Sequence, residues 1–119
     1  QVKKTLDEQY FLYWEDADWC ASALQAGAKL LYVKDARVLH ATSSSLGIRS
    51  VSYAYYNIRN QLLFAKKWSS TVSAFFTCLW VGFKITGLSL KRPATLPKTF
   101  WYVVSALVDG LRGKKGALS

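Results

Sequence analysis

The sequence predicts an α/β fold over residues 1–50, followed by amphipathic interfacial helices over residues 51–119. Two short apolar segments, residues 30–33 and 37–40, have the composition of buried strands and are separated by a polar turn. Between them and the N-terminus, residues 15–26 carry apolar side chains at helical spacing, and Gly27 follows where a left-handed C-terminal cap would lie. A helix beside short strands indicates an α/β unit.

The composition indicates a chain that packs or lies in lipid. Of its 119 residues, 51% are hydrophobic and 15% are aromatic, which excludes a disordered chain. The aromatic run at residues 10–14 predicts a buried strand or a loop pressed against a core. Cys20 and Cys78 lie on apolar helix faces without metal-ligand spacing, so they are better explained as small buried hydrophobes than as a disulfide.

The charge is distributed unevenly along the chain. Residues 1–36 have a net charge of −2, whereas the residues from Arg37 onward have a net charge of +11, with Asp109 as their single acid. A strongly basic second part indicates an anionic partner surface, for which nucleic acid and anionic lipid are both candidates. The N-terminal residues lack the pattern of a signal peptide, which favours the cytosolic side.

The second part of the sequence predicts three helices. Residues 52–68 form an amphipathic helix with a basic end, and residues 100–111 form another. The segment between them, residues 72–90, approaches the roughly 20 apolar residues of a membrane span only if Lys84 is tolerated, so an in-plane or re-entrant helix is favoured. Aromatic side chains beside basic clusters are typical of helices at an anionic membrane surface.

An acidic cluster at the start of the first helix is the main candidate for chemistry. Glu15, Asp16 and Asp18 have an ordinary interpretation, since carboxylates in a first helical turn satisfy free backbone N–H groups. At about 100° per residue, Asp16 and Asp18 point about 200° apart, so they cannot form a face-to-face pair.

Two further sites contain residues suited to binding a metal or a phosphate, but they also have ordinary explanations. His40 is the single histidine, and a metal would need ligands from elsewhere because none lies close to it in the sequence. Arg59 and Asn60 could contact a phosphate or could tie their helix to the core, and the structural role is slightly favoured.

Several motifs follow one another in order: Leu6-Asp7-Glu8-Gln9-Tyr10-Phe11-Leu12-Tyr13-Trp14-Glu15-Asp16-Ala17-Asp18-Trp19-Cys20, then Gly27, residues 30–33 and 36–40, and Tyr55-Tyr56-Asn57-Ile58-Arg59-Asn60. This series resembles the inverting family 2 glycosyltransferases, particularly rhamnosyltransferase-like members with the nucleotide-diphospho-sugar transferase (GT-A) fold. The resemblance covers roughly residues 5–68. It implies a C-terminal fragment of a GT-A domain, at the cytoplasmic face of the membrane.

The resemblance also implies roles for individual residues. Asp16 corresponds to the general base that takes a proton from the acceptor hydroxyl, and Glu15 helps to position the base or the acceptor. His40 can complete the coordination of Mg²⁺ or Mn²⁺, and Asp18 serves as a helix cap or supports the site. Arg59 is the candidate contact to the nucleotide-diphospho-sugar, and the acceptor is a lipid-linked or cell-envelope glycan.

One departure from the family limits the expected activity. The family's nucleotide-binding half, with its aspartate-x-aspartate metal motif, is absent from residues 1–119, and Asp35 is an isolated acid in a turn. We therefore expect the chain alone to have no transferase activity. The alternative is a non-catalytic, membrane-associated binding or assembly module, and nucleic-acid binding is less favoured because the charges flank apolar helices.

Overall fold

The described part of the chain is helical. The computed structural model describes residues 5–39, 51–89 and 96–118. A 3₁₀ turn is followed by four α-helices, with the bounds Glu8–Tyr10 for the turn, Glu15–Gln25 for α1, Val51–Trp68 for α2, Thr71–Ser89 for α3 and Leu96–Arg112 for α4. These ranges contain no β-strand. The predicted α/β fold class, and with it the GT-A fragment, is therefore wrong for this structure.

The two predicted strands are the specific error. Residues 30–33 and 37–39 form no ladder, and a turn lies between them, in which Ala36 N donates to Val33 O at 3.2 Å. Leu31 and Tyr32 are 82% and 91% exposed. Apolar and aromatic composition favours a strand only where neighbouring strands supply hydrogen bonds and burial, and the described residues supply neither. His40 lies outside the described residues.

The predicted helices are confirmed, with boundaries shifted by a few residues. The cap at Gly27 is also confirmed, since this residue has a φ of 86°. Ala28 N donates to Ala23 O and Gly27 N donates to Leu24 O, both at 3.0 Å. These two bonds form a Schellman motif, which ends α1 and satisfies carbonyls that the helix leaves free.

The core lies where α2 packs against α3 and α4, which also contact each other. Its buried side chains include Tyr55, Ile58, Leu62, Cys78, Val103 and Ala106. Two glycines permit the close approach of the helices. A Cβ atom at Gly110 would lie 2.7 Å from Leu62 Cδ1, and one at Gly82 would lie 2.7 Å from Val103 Cγ1.

The cysteines are both free thiols. Cys78 is fully buried in the core, as predicted, and burial raises the pKa of its thiol to about 11. Cys20 is only partly buried.

Helix α3 exposes a stripe of apolar side chains. Val72, Phe76, Trp80 and Phe83 recur on one face, and each is more than half exposed. Within the described residues, no helix combines the length and apolar character needed to cross a bilayer. The predicted domain boundary at residue 50 falls in the range 40–50, outside the described residues, and stays a prediction.

Candidate functional site

The aromatic loop, residues 10–14, leads into the acidic start of α1. Phe11, Tyr13 and Trp14 have φ angles of 63°, 67° and 75°. Residues with a Cβ atom rarely adopt this left-handed region of φ. The conformation costs of order 1–3 kcal/mol per residue and is found mainly where surrounding contacts impose it. The loop is therefore held in shape by contacts outside itself.

Asn60 provides the main clamp on the aromatic loop. Its side-chain amide donates to the carbonyls of Tyr10, Leu12 and Tyr13 at 2.8, 2.7 and 3.0 Å. The loop's aromatic rings also pack on α2, with Trp14 5.2 Å from Phe64 between ring centroids. A single polar side chain of α2 thus fixes the backbone immediately before the acidic cluster.

Arg59 extends the same clamp to the C-terminal turn. The side chain is fully buried, and its Nη2 and Nη1 atoms donate to Tyr10 O at 2.9 Å and to Gly116 O at 2.6 Å. Its Nε donates to Asn60 Oδ1 at 2.9 Å, which fixes the orientation of the Asn60 amide. In this structure Arg59 ties α2 to two other segments, and its predicted contact with a nucleotide-sugar stays a prediction.

Asp18 is the buried member of the acidic cluster. Only 1% of it is exposed, and its carboxylate accepts hydrogen bonds from Tyr10 Oη at 3.1 Å and Trp68 Nε1 at 2.6 Å. Lys67 Nζ lies 2.7 Å from its Oδ1 atom. Burial would raise the pKa of this carboxyl, but the hydrogen bonds from Lys67 and Trp68 outweigh it and lower the pKa. Asp18 therefore joins α1 to the end of α2.

Asp16 is the exposed member of the cluster. Its Oδ1 atom accepts a hydrogen bond from Ala17 N at 2.7 Å, which agrees with the capping interpretation. Asp18 points into the protein while Asp16 faces solvent, as helical geometry requires for two residues about 200° apart. Asp16 is accessible to a solute, whereas Asp18 is not.

Glu15 is intermediate in exposure between Asp16 and Asp18. It is partly buried, and its Oε2 atom is shielded from solvent without a hydrogen-bond partner among the described residues. A shielded carboxylate oxygen is costly unless a donor satisfies it, so Oε2 of Glu15 can accept a hydrogen bond. Glu15 and Asp16 are neighbours in the first turn of α1, directly after the aromatic loop.

The metal prediction finds no support among the described residues. No three His, Cys, Asp or Glu side chains come together there in a way that could hold a metal ion. His40 lies outside the described residues. Because the described residues do not fit Mg²⁺ or Mn²⁺ by themselves, no reaction step is assigned to a metal.

Sequence reasoning missed the contacts that build this site. The signal for them was a polar pair, Arg59 and Asn60, on the same face of α2 as Tyr55, Tyr56 and Leu63. Polar side chains on a core-facing helix surface need partners in the fold.

Comparison with family models, with curated proteins and with solved structures finds no match to this chain.

Proposed function

We propose that the chain is the C-terminal part of an inverting glycosyltransferase that transfers a sugar from a nucleotide-diphospho-sugar to a lipid-linked or cell-envelope glycan. The observation that carries the proposal is the contact between its two most specific motifs. Asn60, from the motif at residues 55–60, holds the aromatic loop from the motif at residues 6–20. Motifs that resemble one family and also meet in space support a common site.

Asp16 is the proposed general base. Its carboxylate is exposed at the start of α1, directly after a loop whose shape is imposed by the clamp from α2. A fixed carboxylate can accept the proton of the acceptor hydroxyl while that oxygen attacks the anomeric carbon. The bond from the anomeric carbon to the diphosphate breaks on the opposite side, which inverts the configuration at that carbon.

Glu15 is proposed to position the acceptor or the base. A sugar hydroxyl that donates to the Oε2 atom of Glu15 would supply the hydrogen bond that this oxygen lacks among the described residues. Since the donor-binding half is absent from residues 1–119, the chain alone is expected to be inactive.

The test is sugar transfer by the whole protein that contains this chain, with a panel of radiolabelled nucleotide-diphospho-sugars and membrane-extracted acceptor. Asp16→Asn removes the base with little change of shape, so transfer should fall by at least about a hundredfold. Asp35→Asn is the matched control, because it removes a carboxylate from an exposed turn. Unchanged transfer by Asp16→Asn contradicts the assigned role, and no transfer by the wild-type protein contradicts the function.

A second candidate is the membrane-associated binding or assembly module, and the apolar stripe of α3 favours it. Phe83 is 72% exposed, and the Nζ atom of Lys84 lies 5.8 Å from the centroid of the Trp80 ring. In α4, Phe100 and Trp101 are also more than half exposed. Exposed aromatic side chains beside lysines suit a helix that lies in the headgroup region of an anionic membrane.

Both candidates place the chain at the cytoplasmic face of a membrane. Flotation with anionic vesicles tests the membrane association that both require. Phe83→Glu should reduce flotation, because it places a carboxylate within the stripe. Thr77→Glu is the matched control, because it adds the same charge to an exposed position of α3 beside the stripe. Nucleotide-sugar binding by the whole protein then separates the candidates, since the module alone binds none.

A further inference from the structure

A cavity of about 340 Å³ lies between three segments that are distant in the sequence. The 3₁₀ turn, the end of α2 and the turn that follows α4 each contribute to its wall. The lining residues are Asp7, Gln9, Tyr10, Leu63, Lys66, Lys67, Gly113 and Lys115. We call it the lysine cavity, because three of these eight residues are lysines.

The charges of the three lysines are neutralised to different extents. The Nζ atom of Lys67 lies 2.7 Å from Oδ1 of the buried Asp18 and 3.6 Å from Oδ2 of Asp7. Lys66 donates to the carbonyl of Leu111, a neutral acceptor near the end of α4. Among the described residues, no carboxylate forms an ion pair with Lys66 or Lys115. The cavity therefore has a surplus of positive charge.

The wall of the lysine cavity is preorganised by backbone hydrogen bonds. Gly113, with a φ of 77°, ends α4 in a Schellman motif, in which Lys114 N donates to Asp109 O at 2.8 Å. Gly116 N donates to Gln9 O at 2.8 Å, so the turn after α4 is joined to the 3₁₀ turn. Binding would then cost little ordering of the backbone.

We propose that the lysine cavity binds a phosphate monoester or diphosphate group. Among the described residues, Lys66 and Lys115 have no carboxylate partner, and two such ammonium groups favour a compact, multiply charged anion over a carboxylate, since lysine binds phosphate as a point charge. The cavity volume is within the range of small-molecule sites, which begins at roughly 300 Å³. This chemistry is shared by free diphosphates and phosphorylated lipid headgroups. The inference concerns binding alone and does not depend on the transferase.

Calorimetric titration with inorganic pyrophosphate tests the free anion. The wild-type chain should bind it, and Lys115→Gln should weaken binding about fivefold or more, which corresponds to roughly 1 kcal/mol. Lys114→Gln is the matched control from the same turn, because Lys114 pairs with Asp109 at 3.5 Å and does not line the cavity. Its affinity should stay within about twofold of the wild type.

Vesicle flotation tests the lipid source with the same two variants. Vesicles containing phosphatidic acid present a phosphate monoester, and vesicles containing phosphatidylglycerol at matched charge present a diester. If Lys115→Gln selectively reduces binding to phosphatidic acid while pyrophosphate does not bind, the headgroup is the ligand. If pyrophosphate binds with the expected loss in Lys115→Gln, a free diphosphate is accepted. Equal losses in both variants, or binding in neither experiment, overturn the proposal.

Discussion

The side-chain amide of Asn60 lies 2.7 Å from the carbonyl oxygen of Leu12, across 48 residues of sequence. The same amide donates to the carbonyls of Tyr10 and Tyr13. These bonds hold a loop that contains three non-glycine residues with positive φ. The geometry at the start of α1 therefore depends strongly on Asn60, together with Arg59, which also donates to Tyr10 O.

Replacing the Asn60 donor should destabilise the fold. Asn60→Asp keeps the shape but turns a buried donor into a carboxylate that faces three carbonyl oxygens, so we expect a loss of roughly 3 kcal/mol in the free energy of unfolding. Urea denaturation followed by circular dichroism measures this loss. Asn57→Asp is the control on the same helix, because it keeps the oxygen that accepts from Trp14 Nε1 at 3.3 Å. Equal losses in the two variants would contradict the clamp.

Removing the Asp18 charge should destabilise the protein at neutral pH. The buried carboxylate accepts from Trp68 and lies against Lys67, whose side chain is 37% exposed and can turn to solvent. Asp18→Asn should therefore cost roughly 2 kcal/mol of unfolding free energy, below the full penalty of an unpaired buried charge. Asp16→Asn removes an exposed carboxylate from the same turn and should cost less than about 0.5 kcal/mol.

The same carboxyl should make stability depend on acidic pH. Because the pKa of Asp18 is lowered from 3.8 in the folded chain, its stabilisation is present above that value and is lost as the pH falls through the folded pKa. Unfolding free energy should therefore decrease below about pH 4 in the wild type, and less steeply in Asp18→Asn. Parallel pH profiles for the two proteins would show that Asp18 is not the responsible group.

Tyr55 should make stability depend on alkaline pH. Its hydroxyl donates to Asp109 Oδ2 at 2.7 Å, and burial together with this carboxylate raises the pKa of Tyr55 from 10.0 to about 12. A raised pKa means that the stabilisation is complete below pH 10 and is lost as the pH rises towards 12. Tyr55→Phe should lower the unfolding free energy by about 1 kcal/mol at pH 7 and flatten this alkaline loss.

The control for Tyr55 is Tyr32→Phe, because Tyr32 is 91% exposed. This variant should match the wild type in both stability and alkaline pH profile, measured by urea denaturation at pH 7 to 11. An alkaline loss that Tyr55→Phe leaves unchanged would assign it to another tyrosine.

The sequence predicted the helices because their signal is local. Apolar residues recur at helical spacing within each helix, and the cap at Gly27 needs only the residues around it. The strand prediction failed because a strand depends on partners that composition does not encode, and residues 30–33 are largely exposed in the described structure. Local patterns were sufficient for elements that make their own hydrogen bonds.

The site was harder to predict because its contacts are distant in sequence. The sequence predicts a cap or a supporting residue at Asp18, but its partners Lys67 and Trp68 lie 49 and 50 residues away. The sequence of the aromatic loop does not predict positive φ angles, because Phe11, Tyr13 and Trp14 are not the glycine or asparagine that usually adopts them. Only Arg59 and Asn60, polar residues on a core-facing helix, pointed to the clamp.

Gly110 lies where α4 packs closely against α2. A Cβ atom at Gly110 would lie 2.7 Å from Leu62 Cδ1 and 3.1 Å from the backbone oxygen of Arg59, which cannot move without disturbing α2. Alanine favours a helix over glycine by about 1 kcal/mol, but overpacking in a closed core costs typically 1–3 kcal/mol. Gly110→Ala should therefore lower the unfolding free energy, by roughly 1 kcal/mol net, as measured by urea denaturation.

Gly87→Ala in α3 isolates the propensity gain from the packing cost. A Cβ atom at Gly87 would meet nothing within 4 Å, so this substitution should stabilise the protein by up to about 1 kcal/mol. The two alanine variants should thus change stability in opposite directions, although the chemical change is identical. If Gly110→Ala were as stabilising as Gly87→Ala, α2 and α4 could not approach as closely as the structure has them, and the position of Arg59 beside α4 would have to change as well.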